Sequence, residues 1–302
     1  MRILVTGGTG NIGKPTVDLL ASHGHQVTVI GRREMQLANA DYIVCDVRDF
    51  ERLKKVCQGM DAIVHLAAII APMLAPGQDI FDVNCRGTFN VFQAAADTGI
   101  KRVVAASSIN ALGYFFGVTK FPILYFPIDE EHPTYTSDPY SFSKQIIEEI
   151  AAYFYRREGI NSACLRFPAV LDQEGEFIRR MKSFFKPYPE LTRNFARDNF
   201  WTLLDTRDAA RAIELALTAD FEGSHPLFIN DSVNFAGIES EKLLQKYFPE
   251  VKARKYPIIG DETVVSIRKA QKLIGFEPQY SWRDIVRSPD SPLRYFLEAA
   301  EA

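Results

Sequence analysis

The sequence predicts an α/β protein, a doubly wound parallel sheet with helices on both faces, followed by a smaller C-terminal region. Three observations carry this. The first thirty-odd residues read strand, glycine turn, helix, strand. Short apolar runs then recur between helix-length segments as far as residue 166. Beyond that point the patterning loosens into aromatic and mixed segments. With 302 residues, 47% hydrophobic and 24% charged, the chain can bury a large core.

Met1 to Arg33 sets the frame. The apolar run Ile3-Leu4-Val5 breaks into Thr6-Gly7-Gly8-Thr9-Gly10-Asn11-Ile12-Gly13; a helical pattern follows through Leu20, Gly24 stops it, and Val27-Thr28-Val29-Ile30 is the second strand. Within such a βαβ unit Gly7 permits a tight turn, Gly10 leaves room for a pyrophosphate, and Gly13 lets the helix approach the sheet. The helix start, with Asn11 and Ile12, offers N–H groups and the positive dipole end to phosphates. This is a Rossmann-type dinucleotide site, and the five residues Gly7, Gly10, Asn11, Ile12 and Gly13 are its candidate cofactor contacts.

The next elements follow in order. At the end of the second strand an acidic residue normally holds the adenosine ribose in NAD-preferring folds. Here Gly31 stands there, with Arg32 and Arg33 behind it. Guanidinium groups can pair with a ribose 2′-phosphate, so the cofactor leans to NADP over NAD; the alternative is that both arginines are solvated surface residues. Tyr42-Ile43-Val44-Cys45 is a third strand ending in Asp46-Val47, where Asp46 can also cap the helix Phe50–Cys57. Ala62–Ala68 is a fourth strand whose small end, Leu66-Ala67-Ala68, lets a ligand lie against the backbone. His65 in this strand has a positional reading, since nothing in sequence pairs it with a nucleophile. Asp79–Thr98 reads as one helix and Arg102–Ala106 as the fifth strand, ending in Ser107-Ser108.

An interruption rich in aromatics and proline spans Ala111–Thr136, too long for an ordinary connection. It reads as a wall of the substrate pocket or as an oligomer contact. Asp138-Pro139 then opens a helix with a cap and a first-turn proline. Tyr140 and Lys144, four apart, share one face of it. Ile160–Leu165 is the sixth strand. Later, Phe177–Phe185 is expected to be helical, Asp205 or Thr206 caps a helix, Leu227–Asn230 is a strand, and Ser240–Phe248 and Ser266–Leu273 are helices.

Taken together, the glycine turn, Val83-Asn84-x-x-Gly87-Thr88, the Ser-Ser pair and Tyr140-x-x-x-Lys144 resemble the extended short-chain dehydrogenase/reductase family, also called the NAD-dependent epimerase/dehydratase family. The resemblance covers nearly the whole chain and is best over residues 1–170. It implies that Asp46 and Val47 contact the adenine and that Asn84 shapes the nicotinamide side. It further implies Tyr140 as general acid/base, Lys144 as the group that holds the nicotinamide ribose and lowers the tyrosine pKa, and Ser108 as hydrogen-bond donor to the same substrate oxygen. Ser108 is preferred to Ser107 by its spacing to Gly113, with Ser107 the alternative. A free tyrosine, with a pKa of about 10, needs such help to act as a base. The family often dimerises through the helix of Asp79–Thr98 and that of Tyr140–Lys144, so a homodimer is expected.

The implied organisation is a dinucleotide-binding domain over 1–166, which also receives the 200–220 segment, and a mainly substrate-binding region over 167–302. Two departures bear on the substrate. Phe167-Pro168-Ala169-Val170 stands where nucleotide-sugar members tend to carry asparagine. Trp201 stands where they carry an arginine for the diphosphate, although Arg197 is near. A smaller sugar-like substrate, an aldose or a uronate, fits better, and uronate dehydrogenases share the Ser-Ser pair and a modified loop after it. The expected activity is NAD(P)-dependent hydride transfer at a hydroxyl or carbonyl carbon. A nucleotide-sugar 4-epimerase or dehydratase, or a non-catalytic NADP(H)-sensing protein, is the alternative.

The composition narrows the partners. The net charge of −3, with no lysine/arginine block, gives no expectation of nucleic-acid binding. Cys45, Cys57, Cys85 and Cys164 are scattered without metal spacing, which predicts reduced thiols and no metal site. No apolar run reaches membrane-spanning length and the first residues form a strand, so a cytoplasmic protein without a membrane partner is expected.

Overall fold

The computed structural model describes residues 1–172 and 186–281. The first half holds β1 (Arg2–Thr6), α1 (Gly13–Ser22), β2 (Gln26–Gly31), β3 (Asp41–Val44), α2 (Phe50–Cys57) and β4 (Ala62–His65). There follow α3 (Gly77–Phe81), a π turn over Asp82–Arg86, α4 (Gly87–Thr98), β5 (Arg102–Ala106), a 3-10 turn over Ile109–Leu112, α5 (Pro139–Glu158) and β6 (Asn161–Arg166). The rest holds β7 (Ala169–Leu171), α6 (Pro189–Asp198), β8 (Leu203–Asp205), α7 (Thr206–Thr218), β9 (Ser224–Phe228), α8 (Ser240–Tyr247) and α9 (Arg268–Ile274).

Seven strands form one parallel sheet in the order β3-β2-β1-β4-β5-β6-β9. The order reverses between β1 and β4, and the carboxyl ends there flank the crevice in which such sheets bind ligands. Because helices cover both faces, the strands read as nearly continuous apolar runs. Val17 and Leu20 of α1 and Ala212 and Ile213 of α7 pack on one face. Leu53 of α2, Val91 and Phe92 of α4, and Ile147 and Phe154 of α5 pack on the other. β7 and β8 pair as a separate two-stranded sheet.

Local chemistry explains the key boundaries. The Asp138 side chain accepts from Ser141 N at 2.9 Å, Pro139 opens α5, and Gly159 ends it at φ +65°. Asp205 caps α7 by accepting from Arg207 N at 2.8 Å. The cap of α2 is Asp49, which accepts from Arg52 N at 3.2 Å. Asp46, the residue read as a possible cap, instead takes Arg48 through its backbone and guanidinium groups.

Three expectations shift. The helix expected over Asp79–Thr98 begins at Gly77 and contains the π turn, whose extra residue turns Asn84 and Cys85 inward. The strand expected over Leu227–Asn230 runs over Ser224–Phe228, and the last helix begins at Arg268 rather than Ser266. Pro226 hid the start of this strand; it is tolerated because β9 is the sheet's last strand. The helix expected over Phe177–Phe185 lies outside the described residues.

The interruption after β5 joins the second core. Phe115, Ile123, Phe126 and Ile128 pack with Phe195, Phe200, Trp201, Phe235 and Phe248. Bridges Phe126↔Arg254 and Ile128↔Val265 stitch it to the chain before α9. This second core is therefore built partly from residues that precede α5.

The glycine turn is a very close backbone approach. A Cβ at Gly13 would stand 2.2 Å from Gly7 O, whereas one at Gly10 would stand 3.3 Å from it. Gly13→Ala should therefore destabilise by about 2 kcal/mol, roughly 3 °C in melting temperature for a chain of this size, while Gly10→Ala changes little. Thermal melts of the two variants check this, and an equal effect of both would place the constraint elsewhere.

Candidate active site

The cofactor cradle is assembled from three strand ends. Gly7, at φ +72°, follows β1, and its Cβ would lie 2.7 Å from Ala67 N. Its N–H reaches Ile30 O of β2 at 3.4 Å, and Gly10 N donates to Gly7 O at 3.1 Å. Ile12 O receives Thr16 N at 3.2 Å, and Asn11 Nδ2 donates to Val170 O at 2.8 Å, pinning the turn to β7. Leu66 N and Ala67 N donate to Thr6 Oγ1 at 3.2 and 3.1 Å, so the small stretch ending at Ala68 lies flat across the cradle. A backbone concavity that no side chain could share is what a bound dinucleotide diphosphate requires, so these residues fit that group.

At the adenosine end Gly31 closes β2, and Arg32 and Arg33 are exposed. Neither arginine forms a salt bridge among the described residues. Asp46 is held below the usual carboxylate range, mainly by its hydrogen bonds from Arg48. Val47 is buried, close against Gly87.

The opposite end holds the buried polar residues. Asn84 accepts from Ile69 N at 2.8 Å and donates to Ile69 O and Ser143 Oγ, both at 2.9 Å, clipping the chain after β4 to α5. Tyr140 and Lys144 are buried on the inner face of α5. Lys144 Nζ donates to Ala106 O at 2.7 Å and lies 5.8 Å from the centre of the Tyr140 ring. Burial pushes the ammonium down to about 8 and the phenol up to about 12, while the hydrogen bond with Ser108 draws the phenol back.

The two serines face different ways. Ser107 Oγ donates to Glu148 Oε1 at 2.6 Å. Ser108 Oγ accepts from Asn110 N at 3.1 Å and Asn110 Nδ2 at 3.4 Å. A hydroxyl has two lone pairs and one proton. With both lone pairs engaged by Asn110, the Ser108 proton is free to be donated, and its protein acceptors are the Tyr140 hydroxyl and, at 3.5 Å, Phe167 O.

Several residues here carry no sequence signal. Asn110 Oδ1 is buried without a partner among the described residues. Phe116, from the interruption, sets its ring edge-on to Tyr140 at 5.7 Å. Glu148, one turn beyond Lys144, binds Arg166 through contacts of 2.8 and 2.7 Å. Only the i, i+4, i+8 spacing of Tyr140, Lys144 and Glu148 hinted at this polar stripe. His65 Nδ1 lies 2.7 Å from Thr6 Oγ1 and its Nε2 lies 2.9 Å from Thr88 Oγ1, which donates to Asn84 O at 2.5 Å. Thr88 spends its proton on Asn84, so His65 donates from Nε2 and accepts at Nδ1. The positional reading of His65 thus acquires its partners.

Among the described residues no group of three or more histidine, cysteine or acidic side chains could hold a metal, and the four cysteines are buried and free. Among those residues no helix is long and apolar enough to cross a membrane.

The sheet order and the glycine cradle define a Rossmann-type dinucleotide-binding protein, with buried serine, tyrosine and lysine side chains gathered at one strand end. The NAD dependent epimerase/dehydratase family matches residues 3–230, and the chain belongs to that family. It is 29% identical over 199 residues to a uronate dehydrogenase of Pseudomonas syringae pv. tomato, covering 65% of this chain and 68% of that one. It is 35% identical over 171 residues to an L-arabinose 1-dehydrogenase (NAD(P)(+)) of Haloferax volcanii, covering 55% and 65%. A putative UDP-glucose 4-epimerase of Methanocaldococcus jannaschii is 31% identical over 186 residues, covering 58% and 59%. Two of these three matches therefore span less than two thirds of the relative. In fold, the chain is similar to a short-chain dehydrogenase/reductase superfamily protein from Agrobacterium tumefaciens with bound NAD, with TM-score 0.71, 22% identity, and 100% and 96% of the two chains covered.

Burial holds His65 neutral, pushing its pKa from 6.5 down to about 3. Between those values the unfolded chain binds a proton that the folded chain does not, so stability should fall as pH drops from about 6.5 towards 3. Urea unfolding across this window should show a shallower decline for His65→Gln than for the wild type. Parallel slopes would mean that His65 is not the buried neutral group responsible.

Proposed function

We propose that this chain is an NAD(P)-dependent oxidoreductase acting at a hydroxyl or carbonyl carbon of a small sugar-like substrate, an aldose or uronate. The observation that carries the proposal is the convergence of Ser108, Tyr140 and Lys144 at the carboxyl end of β5, beside the glycine cradle. A bound nicotinamide supplies the hydride chemistry. The chain's own residues supply the proton transfer and the positioning. Tyr140 exchanges a proton with the substrate oxygen. Lys144, anchored on Ala106 O, keeps a positive charge one turn away, which favours the phenolate against the effect of burial. Ser108, whose proton is held in the protein only by Tyr140 and a long bond to Phe167 O, donates it to the same oxygen; Ser107, committed to Glu148, is the weaker candidate.

Two observations favour an undecorated substrate over a nucleotide sugar. Trp201, at the position where a diphosphate-binding arginine is expected, is buried against Tyr247 and Phe248. Arg197 is taken up by Asp198 at 2.7 Å. The uronate and arabinose dehydrogenases among the relatives support the same class. For the cofactor, the missing acid at Gly31 and the two exposed arginines behind it, which form no salt bridge among the described residues, favour NADP over NAD.

Two copies are proposed to pair through α4 and α5. Phe89 of α4, Phe142 and Tyr153 of α5 and Phe81 at the end of α3 are exposed on this face, with Phe81 stacked on Phe142 and Phe89 on Tyr153, each at 6.3 Å. Exposed stacked aromatics on neighbouring helices suit a second copy of the same face. Light scattering should give the mass of a dimer for the wild type and of a monomer for Phe89→Lys. A wild-type monomer would remove the proposal.

Turnover tests the main reading. Assayed on a panel of aldoses and uronates that includes L-arabinose, Tyr140→Phe should lose turnover by a factor of about 100 or more. Its NADPH affinity should stay within about twofold of the wild type, because the lost hydroxyl acts on the substrate. Near-wild-type turnover in this variant would remove Tyr140 from the chemistry.

A further inference from the structure

The adenosine end of the cradle has a feature that the arginines alone do not explain. β2 and β3 pair in parallel with Val29 opposite Tyr42 and Gly31 opposite Val44. Tyr42 is therefore the diagonal neighbour of Gly31 on one face of the sheet. Its side chain crosses that gap, and a Cβ at Gly31 would stand 2.2 Å from Tyr42 Oη and 3.2 Å from Cζ. The ring packs against the α1-side core, so it cannot swing aside freely. The phenol is half-buried and has no hydrogen-bond partner among the described residues. Tyrosine hydroxyls held in such places usually find one. The same spot belongs to the cradle, because Ile30 O receives Gly7 N and a Cβ at Gly8 would strike Val29, the residue paired with Tyr42.

We propose that Tyr42 is a cofactor-selecting residue: its hydroxyl hydrogen-bonds the 2′ oxygen or 2′-phosphate of the adenosine ribose, and its bulk over Gly31 excludes the carboxylate that would select NAD. This rests on the reading of the chain as a dinucleotide-binding enzyme. A neutral hydroxyl donates to a phosphate without repelling it, and Arg32 and Arg33 add charge beside it. Gly31 is then required by its neighbour across the strand pair. An aspartate there has to displace the phenol before it can reach a ribose.

Titration calorimetry with NADPH and NADH tests this without any substrate. Tyr42→Phe should weaken NADPH binding roughly tenfold and NADH binding less, with an unchanged melting temperature. Gly31→Asp alone should weaken NADPH binding without improving NADH binding. Gly31→Asp combined with Tyr42→Ala should bind NADH roughly tenfold better than Gly31→Asp alone. Unchanged NADPH affinity in Tyr42→Phe, or an NADH gain from Gly31→Asp by itself, overturns the assignment of Tyr42 and leaves the dinucleotide reading standing. A wild type that binds neither nucleotide overturns both.

Discussion

The burial of the Lys144 ammonium is the constraint on which the site depends. A charge taken out of water is costly unless it is hydrogen-bonded or its pKa moves. Here both happen. The Nζ group finds one carbonyl, Ala106 O, and burial brings its pKa to about 8. That single bond fixes the rotation of α5 against the end of β5, and with it the placement of Tyr140 one turn earlier and Glu148 one turn later. An apolar side chain at position 144 would pack with less cost but would leave the helix free to settle by hydrophobic contact alone.

Around that bond the polar residues form an ordered set with little freedom. Glu148 holds Arg166 and Ser107, and Asn110 holds Ser108. Asn84 holds Ser143 and the chain after β4, and His65 ties β1 and β4 to Thr88. Each donor and acceptor that is spent inside the protein narrows what remains for a ligand. Among the described residues what remains includes the hydroxyl of Ser108, held only by a long bond to Phe167 O and by Tyr140, the phenol of Tyr140 and the carbonyl oxygen of Asn110. Those are groups that can address neighbouring oxygens on a polyhydroxylated molecule.

Much of this was legible in the sequence, and the illegible parts share a physical cause. The glycine turn, the parallel strands and the Tyr140–Lys144 pair are local patterns, each readable within a short window. The π turn was hidden because the apolar spacing of Ile80 and Val91 reads as ordinary helix; the extra residue shows only when Asn84 is seen to face inward. Asp46 and Asp49 are both credible caps three residues apart, and only Arg48, folding back onto Asp46, decides between them. Phe116, Arg166 and Tyr42 act through partners far away in sequence or on a neighbouring strand, which a linear reading cannot pair.

The stretch between β5 and α5 links the two halves of this argument. Its aromatic side chains serve as core: Phe115 and Phe126 are buried among residues of the C-terminal region. Phe116, beside Phe115 at 4.5 Å between ring centres, is the member turned towards Tyr140. The same insertion that supplies the second core therefore also sets an aromatic ring against Tyr140. Lys120 holds it in place, donating to Asp198 at 2.9 Å, and Asp198 is buried at the end of α6. Trp201 is packed immediately beyond, in the same core, so under the proposed function substrate size and second-core packing are set by the same residues.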